Sequence, residues 1–259
     1  DWLKLNYQTE NTIRDIESYM NHFFSLFSEY TQDNVNAYLT KRLDEGVKKS
    51  TFNKLIYVLG VYAKFLKMEV EFPKTKTPDQ RIKDYMTLGE LEQQVLPMID
   101  LIFSDYETYD LLIRFLFFTG LRVEEVISLE KKNIDFEKGI IRVVNTKGKV
   151  DREVPFLDEK LQKDLEKYSN KMAQEKLFDF SYYQIWYNLK KLTKDIQWTK
   201  KIHPHFFRIS FAQYCLSLNM NPIIIQQLLG HKDMNTTLIY CKPNDKVIKE
   251  VCNQYKRKG

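Results

Sequence analysis

The chain has 259 residues, 43% of them hydrophobic and 29% charged, a composition that can bury a core and excludes a disordered or low-complexity chain. No apolar run reaches the roughly 20 residues a transmembrane helix needs, since the longest, residues 111–118, is interrupted by Arg114. Three cysteines with no CxxC pair argue against a disulfide framework and for a reducing compartment, and no GxGxxG or Walker-type loop is present.

The net charge of +5 is unevenly spread. Residues 1–80 balance at 11 basic and 11 acidic side chains, and residues 81–180 hold 16 and 20. Residues 181–259 hold 13 basic against 4 acidic side chains. That basic third is interleaved with Tyr182, Tyr183, Trp186, Tyr187, Trp198, Phe206 and Phe207, which fits an anionic partner.

In chain order, residues 9–30 place Ile13, Ile16, Met20, Phe23, Phe24 and Phe27 at three- and four-residue spacings, the stripe of an amphipathic helix. Asp33 reads as the N-cap of a second helix through Val35, Tyr38 and Leu39, ending near Gly46. Ser50 reads as the cap of a third, with Leu55, Val58, Leu59, Tyr62, Phe65 and Leu66 inward. Residues 1–72 are therefore expected to form a helical bundle. Residues 73–83, with Pro73, Pro78 and alternating Lys and Thr, read as a linker. Residues 84–259 form the second expected domain. It opens on a capping box, Thr87 with Glu90. An apolar helix over residues 109–118 follows, broken at Thr119-Gly120, and then a hairpin whose strands 139–144 and 152–156 flank the turn 146–149. From Leu157 onward the pattern is helical. The fold class expected is mainly α with a small antiparallel β-sheet.

Four stretches carry chemistry. In Thr119-Gly120-Leu121-Arg122-Val123-Glu124-Glu125 the glycine permits a sharp turn, and Arg122 falls in the first turn of the next helix. A guanidinium beside a helix N-terminus makes an anion site, and Glu125 on the same face can orient it. Lys147 lies at the hairpin turn, where a lysine leaning over a substrate can donate a proton. In His203-Pro204-His205-Phe206-Phe207-Arg208, Pro204 suits a first helical position, and His205 and Arg208 share a face; His203 lies off it and reads as structural. In Leu228-Leu229-Gly230-His231, the glycine ends a helix begun at Pro222, and Tyr240 follows nine residues after His231.

Arg122, Lys147, His205, Arg208, His231 and Tyr240, in that order and in these contexts, closely resemble the tyrosine recombinase/integrase family, in the manner of phage integrases and Xer-like two-domain site-specific recombinases. The resemblance covers nearly the whole chain. It implies that residues 1–72 are the family's SAM-like core-binding domain, which clamps DNA, and that the remainder is its catalytic domain. One departure is Ile209, where the family often has a second histidine; local repacking and retained activity are expected.

The resemblance implies that Tyr240 is the nucleophile and His205 the proton acceptor. Arg122 and Arg208 would grip the scissile phosphate, His231 would hydrogen-bond it, Lys147 would protonate the leaving 5′-oxygen, and Glu125 would support the cluster. It implies a 3′-phosphotyrosyl intermediate and no metal, ATP or other cofactor. The implied partner is double-stranded DNA carrying a specific site, bound by a homotetramer on two duplexes that is a monomer or weak oligomer without DNA. Lys48, Lys49, Lys54, Lys200 and Lys201 are the candidate phosphate contacts. Val247, Ile248 and Val251 resemble the C-terminal helix that family members dock on a neighbouring protomer. No arm-binding domain is recognisable ahead of the bundle, so either the recombinase has two domains or such a domain was removed with the start of the chain. No membrane partner is expected, and the implied location is the cytoplasm, at a bacterial nucleoid. The alternatives kept open are a type IB topoisomerase-like nicking and resealing enzyme and a non-catalytic DNA-binding accessory protein of the same fold.

Overall fold

A computed structural model describes residues 2–7, 10–74, 84–144 and 151–231, the side chain of Asn11 excepted. The chain divides into two compact units, residues 1–80 and 81–259, a division that falls inside the segment read as a linker. Most of that segment (75–83), the turn 145–150 with Lys147 and Gly148, and residues 232–259 with Tyr240 and the proposed docking helix lie outside the described residues.

The first unit contains α1 (Trp2–Asn6), α2 (Glu10–Phe24), α3 (Gln32–Asp44) and α4 (Lys49–Leu66). Its core joins Ile16, Met20 and Phe23 of α2 to Val35, Tyr38 and Leu39 of α3 and to Leu55, Val58 and Leu59 of α4, all at most 6% exposed. The aromatic stripe of α2 runs past the end of its helix. The structure ends α2 at Phe24, not near residue 30, yet Phe27 and Tyr30 still reach Phe23, with ring centroids at 5.4 and 5.5 Å. Apolar spacing survives there because a tight turn, closed by Phe27 N–H on the Phe23 carbonyl, keeps the rings on one side. Two expected caps also shift. Thr31, not Asp33, caps α3 through its Oγ1, which accepts from Asn34 N–H at 3.2 Å; Asp33 sits inside the first turn, where a carboxylate favours the helix N-terminus electrostatically. Lys48, not Ser50, precedes α4, and its side chain makes no capping bond.

In the second unit the Thr87–Glu90 capping box forms in both directions, Glu90 Oε2 accepting from Thr87 N–H at 2.8 Å. It opens α5 (Leu88–Glu90), which continues as a wide turn over Leu91–Val95 and a tight one over Leu96–Met98 around Pro97 before α6 (Ile99–Ile102). The centre of the unit is α7 (Tyr106–Thr119). Leu111, Leu112, Ile113, Phe115, Leu116 and Phe117 are all at most 3% exposed, so this helix is buried on nearly every side. Its one charged interior residue, Arg114, is held by Asp110 and by Asp164 of α9 (Glu159–Lys171).

After α7 come α8 (Val123–Ile127) and an antiparallel sheet of β1 (Ile134–Asp135), β2 (Ile140–Val143) and β3 (Arg152–Pro155) in the order β1-β2-β3. The expected hairpin is β2–β3, with Val143 opposite Arg152; β1, two residues long, was too short to show in the pattern of alternation. The helices α10 (Tyr182–Asp195), α11 (Pro204–Ser217) and α12 (Pro222–Leu229) complete the described residues. A layer of Ile209, Phe211, Ala212, Cys215, Ile225, Leu228 and Leu229 joins α11 to α12, and α11 lies along α7. The fold is thus mainly helical with one small antiparallel sheet. Among the described residues, no helix is long and apolar enough to cross a membrane.

Candidate active site

Four helix ends and one strand end meet in the second unit. The first is the exit of α7. Gly120 takes the left-handed conformation (φ +59°), and a side-chain carbon there would lie 2.4 Å from Cδ1 of Phe211 on α11. Only glycine lets α7 end this close to α11. The turn delivers Arg122 as the N-cap of α8, one position before the helix rather than within its first turn.

Glu125 is the hub. Its Oε2 accepts from Arg122 N–H at 2.8 Å and its Oε1 from Arg122 Nη1 at 2.9 Å. Arg152, the first residue of β3, adds a parallel pair, Nη1 to Oε1 at 3.0 Å and Nη2 to Oε2 at 2.8 Å. Each carboxylate oxygen therefore accepts two hydrogen bonds. Burial alone would raise this carboxyl's pKa, but the Arg152 hydrogen bonds and charge, with Arg122, pull it down to about 2. Glu125 is accordingly a fixed anion whose charge is already committed to two arginines.

The third guanidinium, Arg208 of α11, is 2% exposed. It donates from Nη1 to the Gly120 carbonyl at 2.9 Å and from Nη2 to the Leu229 carbonyl, gripping the C-terminal ends of α7 and α12 together. Carbonyls at helix C-termini carry partial negative charge, which suits a buried cation there. His205 is exposed on the first turn of α11, which Pro204 opens. The neighbouring His203 is the cap of that helix, its Nδ1 accepting from Phe206 N–H at 3.2 Å, which accounts for its lying off the His205–Arg208 face.

Gly230 ends α12 in the left-handed conformation (φ +61°), and His231 follows at once. Burial is the main cause that depresses the pKa of His231, to about 4, and Arg208, Arg122, His205 and Arg152 add to it through their charge. At neutral pH the ring is uncharged and retains one N–H donor. Residues far apart in sequence thus share one electrostatic neighbourhood, in which three arginines and His205 act on His231 and Glu125 is saturated by two of the arginines. Three guanidinium charges against one carboxylate leave the cluster net positive, which favours an anion there by Coulomb's law. Among the described residues, no group of three or more His, Cys, Asp or Glu that could hold a metal ion is present.

Arg152 is the member of the cluster that no motif in the sequence singles out. The one available signal was its place at the start of the strand following the Lys147 turn, and a lone arginine at a strand end has no distinguishing pattern. Lys147 and Tyr240 lie outside the described residues. Of the lysines read as phosphate contacts, Lys48 and Lys49 are exposed at the start of α4, and Lys201 is exposed before α11. Lys54 pairs with Asp15 at 2.7 Å. Lys200 is turned onto Glu90 and the Tyr85 carbonyl, its ammonium 5.2 Å from the Trp198 ring.

A family model for the phage integrase family matches residues 89–246. Tyrosine recombinase XerA of Saccharolobus solfataricus is 36% identical over 241 residues, covering 87% of this chain and 77% of that protein. Among solved structures, the Tn1549 transposon integrase in complex with a circular intermediate DNA matches with a TM-score of 0.78 at 18% identity, over 95% of this chain and 94% of that one. The crystal structure of XerA recombinase matches with a TM-score of 0.57 at 23% identity, over 100% and 97%. At these identities the structural likeness establishes the fold.

Proposed function

The chain belongs to the phage integrase family, whose work is tyrosine-type site-specific DNA recombination, and we propose that the cluster around Glu125 is its scissile-phosphate site. The observation that carries this reading is the convergence of Arg122, His205, Arg208 and His231 on one neighbourhood while Glu125, the carboxylate tied to it, is saturated by Arg122 and Arg152.

In this reading Tyr240 attacks the phosphorus of a DNA phosphodiester. The Tyr240 O–P bond forms, the bond from phosphorus to the 5′-oxygen breaks, and the phosphorus stays attached to the 3′-oxygen. A phenol with a reference pKa near 10 is protonated at neutral pH, so its proton passes to His205 as the bond forms. The transition state concentrates negative charge on the non-bridging oxygens, which Arg122 and Arg208 stabilise and to which neutral His231 donates. Lys147 gives a proton to the 5′-oxygen, which otherwise leaves as a poorly stabilised alkoxide. Attack by the 5′-hydroxyl of a second strand reverses the step and releases Tyr240. One phosphoester is exchanged for another, so the reaction has no net hydrolysis to drive and needs no nucleotide energy.

The substrate in this proposal is double-stranded DNA with a specific site, held by residues 1–72 and 84–259 and exchanged within a homotetramer on two duplexes. The relatives' names support the DNA reading; the tetramer follows from the need to cut and exchange strands of two duplexes. A nicked suicide duplex carrying the cognate site, whose short 5′ product diffuses away, tests the reading. The wild-type chain should accumulate a covalent protein–DNA adduct and Tyr240→Phe should form none. Absence of the adduct in the wild type, or its persistence in Tyr240→Phe, overturns it.

A further inference from the structure

Arg152 touches three parts of the site at once. Its two terminal nitrogens hold both oxygens of Glu125, and its Nε donates to the Leu228 carbonyl at 2.7 Å, in the last turn of α12. The third contact is with the backbone at Gly230. A side-chain carbon there would lie 3.1 Å from Cδ and Nη1 and 3.2 Å from Nε of Arg152. The glycine that turns the chain into His231 is therefore packed directly against this guanidinium. Both members of the Arg152–Glu125 pair are nearly buried, with side chains 7% and 8% exposed.

We infer that Arg152 is a positioning residue of the reaction: it fixes Arg122 through Glu125, and His231 through Leu228 and Gly230, at one mutual spacing, so that both meet the same phosphate. It need not touch the substrate to do so. Lysine cannot take its place, because one ammonium cannot present a planar fork to a carboxylate and a third, divergent N–H to a carbonyl. The ladder adds a reason for its location. Arg152 pairs with Val143 at the end of the β2–β3 ladder, and its contacts tie that end of the sheet to α8 and α12. This inference rests on the proposed function, since it presupposes that the cluster binds the scissile phosphate.

The test is the single-turnover rate of adduct formation by wild type and Arg152→Lys, on an ordinary suicide duplex and on one whose scissile phosphate is a methylphosphonate. The methylphosphonate lacks one non-bridging anionic oxygen, so a misplaced arginine cage has less charge left to mishandle. On the phosphodiester, Arg152→Lys should be slower by about 100-fold, the scale of a small misplacement of aligned groups, with DNA affinity and thermal midpoint close to wild type. On the methylphosphonate the deficit should shrink to a few-fold. Equal rates on the phosphodiester, or an undiminished deficit on the methylphosphonate, overturn the inference. Should Arg152→Lys not fold, the double variant Glu125→Gln with Arg152→Met carries the test, since it removes both ions of the buried pair and leaves only Arg122, 26% exposed and open to solvent, without its carboxylate. A deficit that again contracts on the methylphosphonate supports the inference, and a wild-type rate in the double variant overturns it. Failure of the wild-type chain to form any adduct defeats the functional reading itself, and this inference with it; a wild-type adduct with an indifferent Arg152 variant defeats the inference alone.

Discussion

Arg152 and Glu125 face each other through two parallel hydrogen bonds of 3.0 and 2.8 Å, and neither side chain is more than 8% exposed. A pair of this kind is costly to break from one side, because the remaining ion stays in the interior without its partner. Arg152→Ala should therefore lower the unfolding free energy by about 3 to 5 kcal/mol. Restoring part of that loss by adding Glu125→Gln, read by urea denaturation, would identify the stranded carboxylate as the cause. An additive double variant would place the cost in lost packing instead.

Acid should weaken the second unit in two successive windows. His231 has its pKa depressed to about 4 from 6.5, so the unfolded chain takes up its proton first as pH falls. Its contribution to stability is full above 6.5 and is lost on the way down to 4. Glu125, depressed to about 2 from 4.5, contributes fully above 4.5 and loses that contribution on the way down to 2. Denaturation midpoints at half-unit pH steps in phosphate-free buffer should show a decline over both windows. His231→Gln should flatten the upper one and Glu125→Gln the lower; an unchanged upper slope in His231→Gln would contradict the assignment.

Two glycines separate backbone strain from collision. Gly46 and Gly120 both have positive φ, +71° and +59°, but a side-chain carbon at Gly46 meets nothing within 4 Å while one at Gly120 strikes Phe211. Gly46→Ala should cost about 1 to 2 kcal/mol, the left-handed penalty alone. Gly120→Ala should add about 1 to 3 kcal/mol of overpacking and push Arg208 away from the Gly120 carbonyl, so adduct formation should fall as well. Thermal and urea denaturation of the two variants, with the adduct assay, check the difference.

The lysines should sort by what already holds them. Lys48, Lys49 and Lys201 are exposed, whereas Lys54 and Lys200 are paired with Asp15 and Glu90. Each exposed lysine that meets a phosphate contributes a slope of about −1 to the dependence of log affinity on log salt. Alanine at Lys48, Lys49 and Lys201 should flatten that slope, and alanine at Lys200 should leave it unchanged while lowering stability. A flattened slope in Lys200→Ala would mean that Lys200 leaves Glu90 to meet DNA.

The parts of the site legible in the sequence were those whose chemistry is local. Gly120 and Gly230 announce left-handed helix ends, and Pro204 announces a helix start; Arg122, Arg208 and His231 could then be placed relative to those turns. Arg152 was not legible because its partners are Glu125, 27 residues away, and Leu228, 76 residues away. No spacing rule connects them. The helix caps show the same limit at smaller scale. Asp33 and Ser50 are good capping types, but α3 begins where the chain leaves the Phe23–Phe27–Tyr30 aromatic packing, which brings Thr31 into place, and α4 begins at Lys49 with no side-chain cap. Tertiary packing decided the start of α3 over local preference.

In the proposed reaction one tyrosine among sixteen, Tyr240, carries the DNA. Trapping the adduct on a suicide duplex, trimming the DNA with nuclease and mapping the nucleotide-bearing peptide by mass spectrometry tests it directly. A nucleotide linked through its 3′-phosphate to Tyr240, and to no other residue, is the expected result. A nucleotide on Tyr214 or any other tyrosine, or a 5′-phosphate linkage, would contradict it.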